Sequence, residues 1–216
     1  MNFTNINSST NNFLFDRDNY FFIQNIWDPE DLICNEIPTD KGLITYHGSL
    51  ESFNYDPNGE QVCGSSERYN HPKFKQIHAA IGKKIEKIIG KDLLPTYFFD
   101  RFYFVGQELT VHADRPACEI SVSVHINSNL NQPWMFEIET PYDENHAIDC
   151  APGDGVIYRG CDAKHWRKPL PSRYNKFQRF IRKLQKKKDD TYYHQIFFHY
   201  VLANGHRSHF AYDNCK

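Results

Sequence analysis

Arg101-Phe-Tyr103-Phe-Val-Gly106-Gln-Glu-Leu-Thr-Val-His112-Ala-Asp114-Arg115-Pro116 is the stretch on which the fold turns. It runs as an alternating, strand-like segment and ends with an imidazole and a carboxylate two residues apart. In extended backbone, side chains at i and i+2 fall on one face. His112 and Asp114 can therefore offer one nitrogen and one oxygen to a single cation, with Ala113 turned away between them. Such a pair is common on surface strands and does not by itself make a site.

Downstream, Ala151-Pro-Gly153-Asp154-Gly155-Val-Ile-Tyr158-Arg-Gly160-Cys161-Asp-Ala-Lys164-His165-Trp166-Arg167 reads as a Gly/Pro turn, a short apolar strand, a second turn, and a histidine flanked by an aromatic and a base. If the two strands are neighbours in a rolled sheet, His165 adds a third ligand. Two histidines and one carboxylate on a triangular face leave about three coordination positions open, the arrangement associated with non-haem Fe(II).

Tyr103-x-x-Gly106-Gln107-x-x-x-x-His112-x-Asp114, followed by Gly153-Asp154-Gly155 and His165, resembles the 2-oxoglutarate- and Fe(II)-dependent oxygenases, most closely their prolyl 4-hydroxylase-like branch. The resemblance covers residues 98–203. It implies Fe(II) held by His112, Asp114 and His165, with 2-oxoglutarate and dioxygen as cosubstrates. It also implies hydroxylation of an unactivated C–H bond, with release of succinate and CO2. Tyr103 matches a tyrosine whose hydroxyl bonds the far carboxylate of 2-oxoglutarate. Relatives add an Arg or Lys on the last core strand, where this chain has Tyr193-His194-Gln195. The missing cation is then a charged His194, or Arg167, which shares a face with His165, or Arg101, which shares one with Tyr103.

The rest of the chain fits one domain around that core. Its 216 residues, 40% hydrophobic and 15% aromatic, suffice for a single substantial core. Many short strands separated by turn clusters predict an α+β, mainly β architecture: a double-stranded β-helix of the jelly-roll or cupin kind, flanked by helices. Residues 1–12 read as a disordered tail and 13–216 as the oxygenase domain, with its core at about 93–203. Residues 13–26 read as two short strands, Asp28-Pro29-Glu30 as a helix start ending near Pro38, and 43–70 as a loop with short strands, suited to a substrate lid. Phe74, Ile77, Ile81, Ile85 and Ile88 step at helical spacing and predict a helix over 72–89 closed by Gly90. Residues 96–106 read as paired strands. In the alternating run 119–126, Ile120, Val122, Val124 and Ile126 face a core, and His125 falls on a face read as solvated.

One insertion departs from the family pattern. Residues 172–188 predict a basic amphipathic helix capped by Ser172, with Tyr174, Phe177, Ile181 and Leu184 as a narrow apolar stripe among eight Lys and Arg. Such a helix suits nucleic acid, an acidic partner or an anionic membrane surface. A net charge of −2 gives the whole chain no bias toward polyanions. The six cysteines are scattered, and the start of the chain lacks the apolar run of a secretory signal, so reduced thiols in a cytoplasmic setting are expected. Cys161 reads as a small buried hydrophobe. Three classes of function fit these residues. The first is an oxygenase acting on a peptidyl residue such as proline, with a protein or peptide as partner. The second is an oxygenase of a nucleobase or free small molecule, and the third a non-catalytic jelly-roll binder, against which an intact iron face argues.

Overall fold

A computed structural model describes residues 8–33, 54–56 and 61–213. Chain order runs α1 (Ser8–Asp18), β1 (Tyr20–Ile23), β2 (Asn54–Asp56), β3 (Ser65–Tyr69), α2 (Lys75–Ile89), β4 (Leu93–Phe104), β5 (Leu109–His112) and β6 (Ile120–Ser128). It continues through β7 (Phe136–Glu139), β8 (Asn145–Ile148), β9 (Gly155–Tyr158), β10 (His165–Arg167), α3 (Lys176–Leu184) and β11 (Tyr192–Leu202). The strands form two antiparallel sheets. One has seven strands in the order β1-β9-β6-β11-β4-β3-β2, the other four in the order β5-β10-β7-β8. This is the α+β, mainly β double-stranded β-helix expected from the sequence.

The large sheet is covered on its outer face by α2. Phe74, Ile77, Ile81, Ile85 and Ile89 are buried against Phe98, Ile120, Val122, Val124, Ile126, Ile196 and Phe198, each contributing roughly 1.5–3 kcal/mol by leaving water. Ile88, assigned to the stripe from sequence, is only half-buried, and Ile89 takes its place. Gly90 ends the helix at φ 65°, a left-handed conformation that costs glycine little.

The inner face is the lumen of the barrel, and it explains a departure from expectation at β6. Ser121, Ser123 and His125 alternate with the core residues as predicted, yet all three are buried, because their face turns toward the second sheet rather than water. His125 bonds the Cys150 carbonyl through Nδ1 at 2.7 Å and stacks on Tyr193.

Other departures are local. Residues 13–18 belong to α1, which also takes in residues 8–12 of the segment read as a tail, so one strand (β1) stands where two were expected. Asp28 does cap a turn at Pro29, but it is one turn of 3-10 helix, and Pro38 lies outside the described residues. Residues 96–106, expected as paired strands, lie mostly in one continuous strand, β4. The short strands expected within 43–70 do occur in its described parts, as β2 and β3 added to the edge of the large sheet; the remainder lies outside the described residues.

Candidate metal centre and cosubstrate pocket

Strands β5 and β10 are antiparallel neighbours in the register His112↔His165 and Leu109↔Arg167. The two histidines therefore stand side by side, ring centroids 4.3 Å apart. Asp114 lies just past β5, held by its amide to the Gly160 carbonyl at 2.7 Å. Its Oδ1 sits 3.5 Å from His112 Nε2 and 3.6 Å from His165 Nε2. The three ligand atoms all fall within 4.8 Å of one another.

Hydrogen bonds at the far side of each ring fix which nitrogen is offered. His112 Nδ1 meets the Thr110 carbonyl at 2.7 Å and His165 Nδ1 meets that of Ala163 at 3.0 Å. A carbonyl only accepts, so Nδ1 carries the proton and Nε2 turns a lone pair to the shared space. Burial pushes the buried His165 imidazole down toward its neutral, ligating form, against the pull of Asp114. Burial by itself would raise the Asp114 carboxyl, but His165, His112 and His199 outweigh it and hold the group below the usual carboxylate range. Two neutral imidazoles and one carboxylate on one face fit a divalent iron that keeps open positions.

Asp114 is steadied from behind. Ser121 Oγ lies 3.0 Å from Asp114 Oδ2 and 2.9 Å from His199 Nδ1, and Gly160 leaves the space that Asp114 and Ser121 fill. A Cβ at Gly160 would lie 2.8 Å from Ser121 Oγ and closer still to Asp114 Oδ2 and the Cys118 carbonyl. Neither Ser121 nor His199 was singled out from sequence. Cys161 stays out of the ligand set, its thiol donating to the Arg115 carbonyl.

The triad opens on a cleft of about 210 Å³ walled by Tyr69, Tyr97, Phe99, Tyr158, Phe197 and His199. Among the described residues, Arg101 and Arg115 are the cationic side chains lining it. Arg101 donates to Glu67 from Nε at 2.8 Å and Nη2 at 2.5 Å, while Nη1 lies 3.4 Å from the Tyr103 hydroxyl. Burial works against its charge, but Tyr103 and Glu67 hold it more firmly protonated than usual.

His194 does not join this group. Its position on β11 is out of phase with Tyr193 and Gln195, so the ring turns to the outer face, stacks on Phe102, and meets Asp100 Oδ2 at 2.8 Å. Asp100 is also held by Arg68, and burial pushes the His194 ring down. The structure thus corrects the reading of His194 as a cosubstrate cation. Arg167 does face inward, at the Leu109 end of β10. It is wedged between Trp134 and Tyr193, its guanidinium carbon 4.7 and 4.8 Å from their ring centroids, and donates to the Trp134 carbonyl.

Sequence reasoning passed over Gln195, whose register partners are Arg101 on β4 and His125 on β6. These three side chains form a polar row across the lumen. Both amide atoms of Gln195, His125 Nε2 and Arg167 Nε are buried without a hydrogen-bond partner among the described residues. Buried polar atoms left unpaired are costly, and a polar ligand bridging Arg101, Tyr103 and this row relieves them. The residues present fit a small dicarboxylate beside a metal.

The basic helix lies elsewhere. Strand β10 leaves the metal at His165, and β11 returns from Tyr192, opposite Phe104, toward His199 at the cleft. The six residues from Tyr193 to His199 span about 20 Å, so α3 hangs from the end of the barrel away from the metal. Its cap also differs, since Asn175 and Gln178 form a capping box while Ser172 bonds Asp189.

No protein-family model and no curated protein sequence matches the chain. Solved structures do match in fold. An oxidoreductase of the 2OG-Fe(II) oxygenase family from Burkholderia pseudomallei superposes with a TM-score of 0.61 at 9% identity, over 94% of this chain and 93% of that one. A prolyl hydroxylase from Trichoplax adhaerens, solved with a peptide fragment of the hypoxia inducible factor oxygen degradation domain, gives 0.57 at 10% identity over 89% and 88%. HygX from Streptomyces hygroscopicus, solved with nickel, 2-oxoglutarate and hygromycin B, gives 0.57 at 9% over 89% and 86%. At these identities the likeness is one of fold.

Proposed function

We propose that the chain is a 2-oxoglutarate- and Fe(II)-dependent oxygenase that hydroxylates an unactivated C–H bond, in a peptidyl residue such as proline. The observation that carries this reading is the convergence of His112 Nε2, His165 Nε2 and an Asp114 oxygen at the head of a cleft that Arg101 also lines. When bound, the iron, 2-oxoglutarate and dioxygen together supply the oxidation, one oxygen atom entering the substrate C–H bond and the other the succinate formed as CO2 leaves.

The protein's part is to hold and to shield. His112, Asp114 and His165 hold the metal, with Thr110, Ala163 and Ser121 keeping each ligand in its orientation. Arg101 takes the far carboxylate of 2-oxoglutarate, with Tyr103 as a second donor and Gln195 beside them, replacing the last-strand cation that the resemblance leads one to expect. Tyr97, Phe99 and Phe197 form a dry wall along the cleft and exclude water from the reacting carbon. No side chain has to serve as nucleophile or general base.

A peptide is the favoured substrate because the sequence resemblance runs to the prolyl 4-hydroxylase-like branch and one structure of this fold holds a peptide. The small-molecule reading has its own support in HygX. Succinate release under Fe(II) and dioxygen, measured with proline-containing peptides, oligonucleotides and free amino acids, separates them. Stimulation by oligonucleotides or amino acids but not by peptides would overturn the peptide assignment. Absence of both metal binding and succinate release would leave a non-catalytic barrel.

A further inference from the structure

Helix α3 is a surface element without an obvious client in the fold. None of its residues is buried, and Phe177, Phe180 and Leu184 are 71%, 57% and 65% exposed. At about 100° of rotation per residue, Phe177, Phe180, Ile181 and Leu184 fall within one stripe roughly 100° wide. Lys176 and Lys183 lie side by side along one edge of that stripe, while Arg179 and Arg182 lie opposite. The helix is nevertheless built to stand alone: the Asn175–Gln178 capping box closes its start. Its base is tied down by Tyr174 to Asp190 at 2.7 Å and by Arg182 near the same carboxylate at 3.7 Å.

Charge is segregated onto this element. Residues 172–188 contain eight Lys and Arg and no acid; of the chain's 25 Lys and Arg this leaves 17 against 27 Asp and Glu, a remainder of −10. Lys176, Arg179, Lys183, Lys186 and Lys187 pair with no carboxylate among the described residues. A flat anionic surface attracts the helix and repels the rest of the molecule, which orients the approach.

We infer that α3 and Lys186–Lys188 form a peripheral docking site for an anionic lipid bilayer, with Phe177, Phe180 and Leu184 inserted among the acyl chains and the lysines at the headgroups. Apolar stripe and lateral lysines together are the pattern of a helix lying in the membrane interface, and the lysines favour anionic headgroups. A nucleic acid backbone uses the lysines but leaves three large apolar side chains in water. Because α3 hangs from the end of the barrel away from the metal, docking leaves the cleft facing the aqueous phase.

The test is flotation of the full chain with vesicles of phosphatidylcholine alone and of phosphatidylcholine mixed with phosphatidylserine. Binding to the mixed vesicles is expected to be at least roughly tenfold stronger than to neutral ones and to fall as salt is raised. Both Phe177→Ser/Phe180→Ser and Lys183→Glu/Lys186→Glu/Lys187→Glu should weaken it by a similar factor, and unchanged thermal melting of these exposed-site variants shows that the fold is intact. Equal binding to both vesicles, no binding to either, or full binding by the Phe variant overturns the proposal. So does concentration-dependent dimerisation abolished by the Phe variant, or binding to an RNA duplex that the Phe variant retains while vesicles are ignored.

Discussion

Replacing Arg101 by Gln tests the cosubstrate site most sharply, because Arg101, Arg167 and His194 occupy three different environments. Arg101 lines the cleft with one edge of its guanidinium committed to Glu67 and the Nη1 side turned to Tyr103. Loss of a charge-assisted bond to a carboxylate costs about 1.5–3 kcal/mol, which corresponds to roughly 10–150-fold weaker 2-oxoglutarate binding. The same change leaves Glu67, whose side chain is 12% exposed, without its cation, so some stability is lost with it. Glu67→Gln separates the two effects, because it releases the ion pair while keeping the arginine charge. Calorimetric titration of 2-oxoglutarate into anaerobic, Fe(II)-loaded protein should rank Arg101→Gln far below Glu67→Gln, with Arg101→Lys between them because a point charge replaces a fork. His194→Gln should leave the affinity within about twofold, since its ring faces Asp100 on the opposite side of the sheet. If Arg101→Gln binds normally while Arg167→Gln loses more than tenfold, the anchor sits between Trp134 and Tyr193 and the assignment is wrong.

Asp114→Ala is expected to abolish Fe(II) binding, whereas His125→Ala should leave the metal in place; metal content after dialysis reads both. Gly160→Ala should lower metal affinity by about tenfold or more with the strands intact, because the added methyl forces Asp114 or Ser121 from its place; normal Fe(II) affinity in this variant would show that the loop gives way instead. His78 and His125 are buried with pKa values pushed down by burial to about 4. Each binds its proton more readily unfolded than folded, so the stability tied to it is complete above about pH 6.5 and is lost as pH falls toward 4. The loss is about 2 kcal/mol apiece at pH 5. Denaturant midpoints between pH 7 and 5 should show this decline, and His78→Phe should flatten it.

The metal triad was legible because its cues are local: an i, i+2 pair, a Gly-Asp-Gly turn and a histidine after a short strand. The helix at Ile77–Ile89 was legible because its stripe repeats with the helical period. What stayed hidden depends on which strands are neighbours. Ser121, Ser123 and His125 alternate with apolar residues on β6, and a period of two cannot distinguish a face turned to water from one turned to a polar lumen. His194 stands among the three candidate cations because spacing along the chain ignores parity, and one residue of phase sends its ring to the far side of the sheet. Gln195 carried no signal until its register with Arg101 and His125 placed it in the lumen. At the start of the chain, the clusters around Asp16, Arg17 and Asp18 resembled a turn between strands, whereas Arg17–Asp18 and Lys91–Asp16 pairs accommodate those charges on a helix.

With Arg101 as the proposed anchor of the far carboxylate, its pairing with Glu67 would make the edge of the sheet a participant in cosubstrate binding. Strand β3 meets β4 through charges on both faces, Glu67 with Arg101 inside and Arg68 with Asp100 outside. An undocked β3 would free Arg101 to swing away from Tyr103, so the competent pocket exists only in molecules whose edge is zipped. Thermodynamic reciprocity then requires that a bound dicarboxylate favour the zipped edge by the same factor that zipping favours the dicarboxylate. Mutations along β2 and β3, which carry none of the candidate metal ligands, would accordingly surface as changes in 2-oxoglutarate affinity before any loss of the fold.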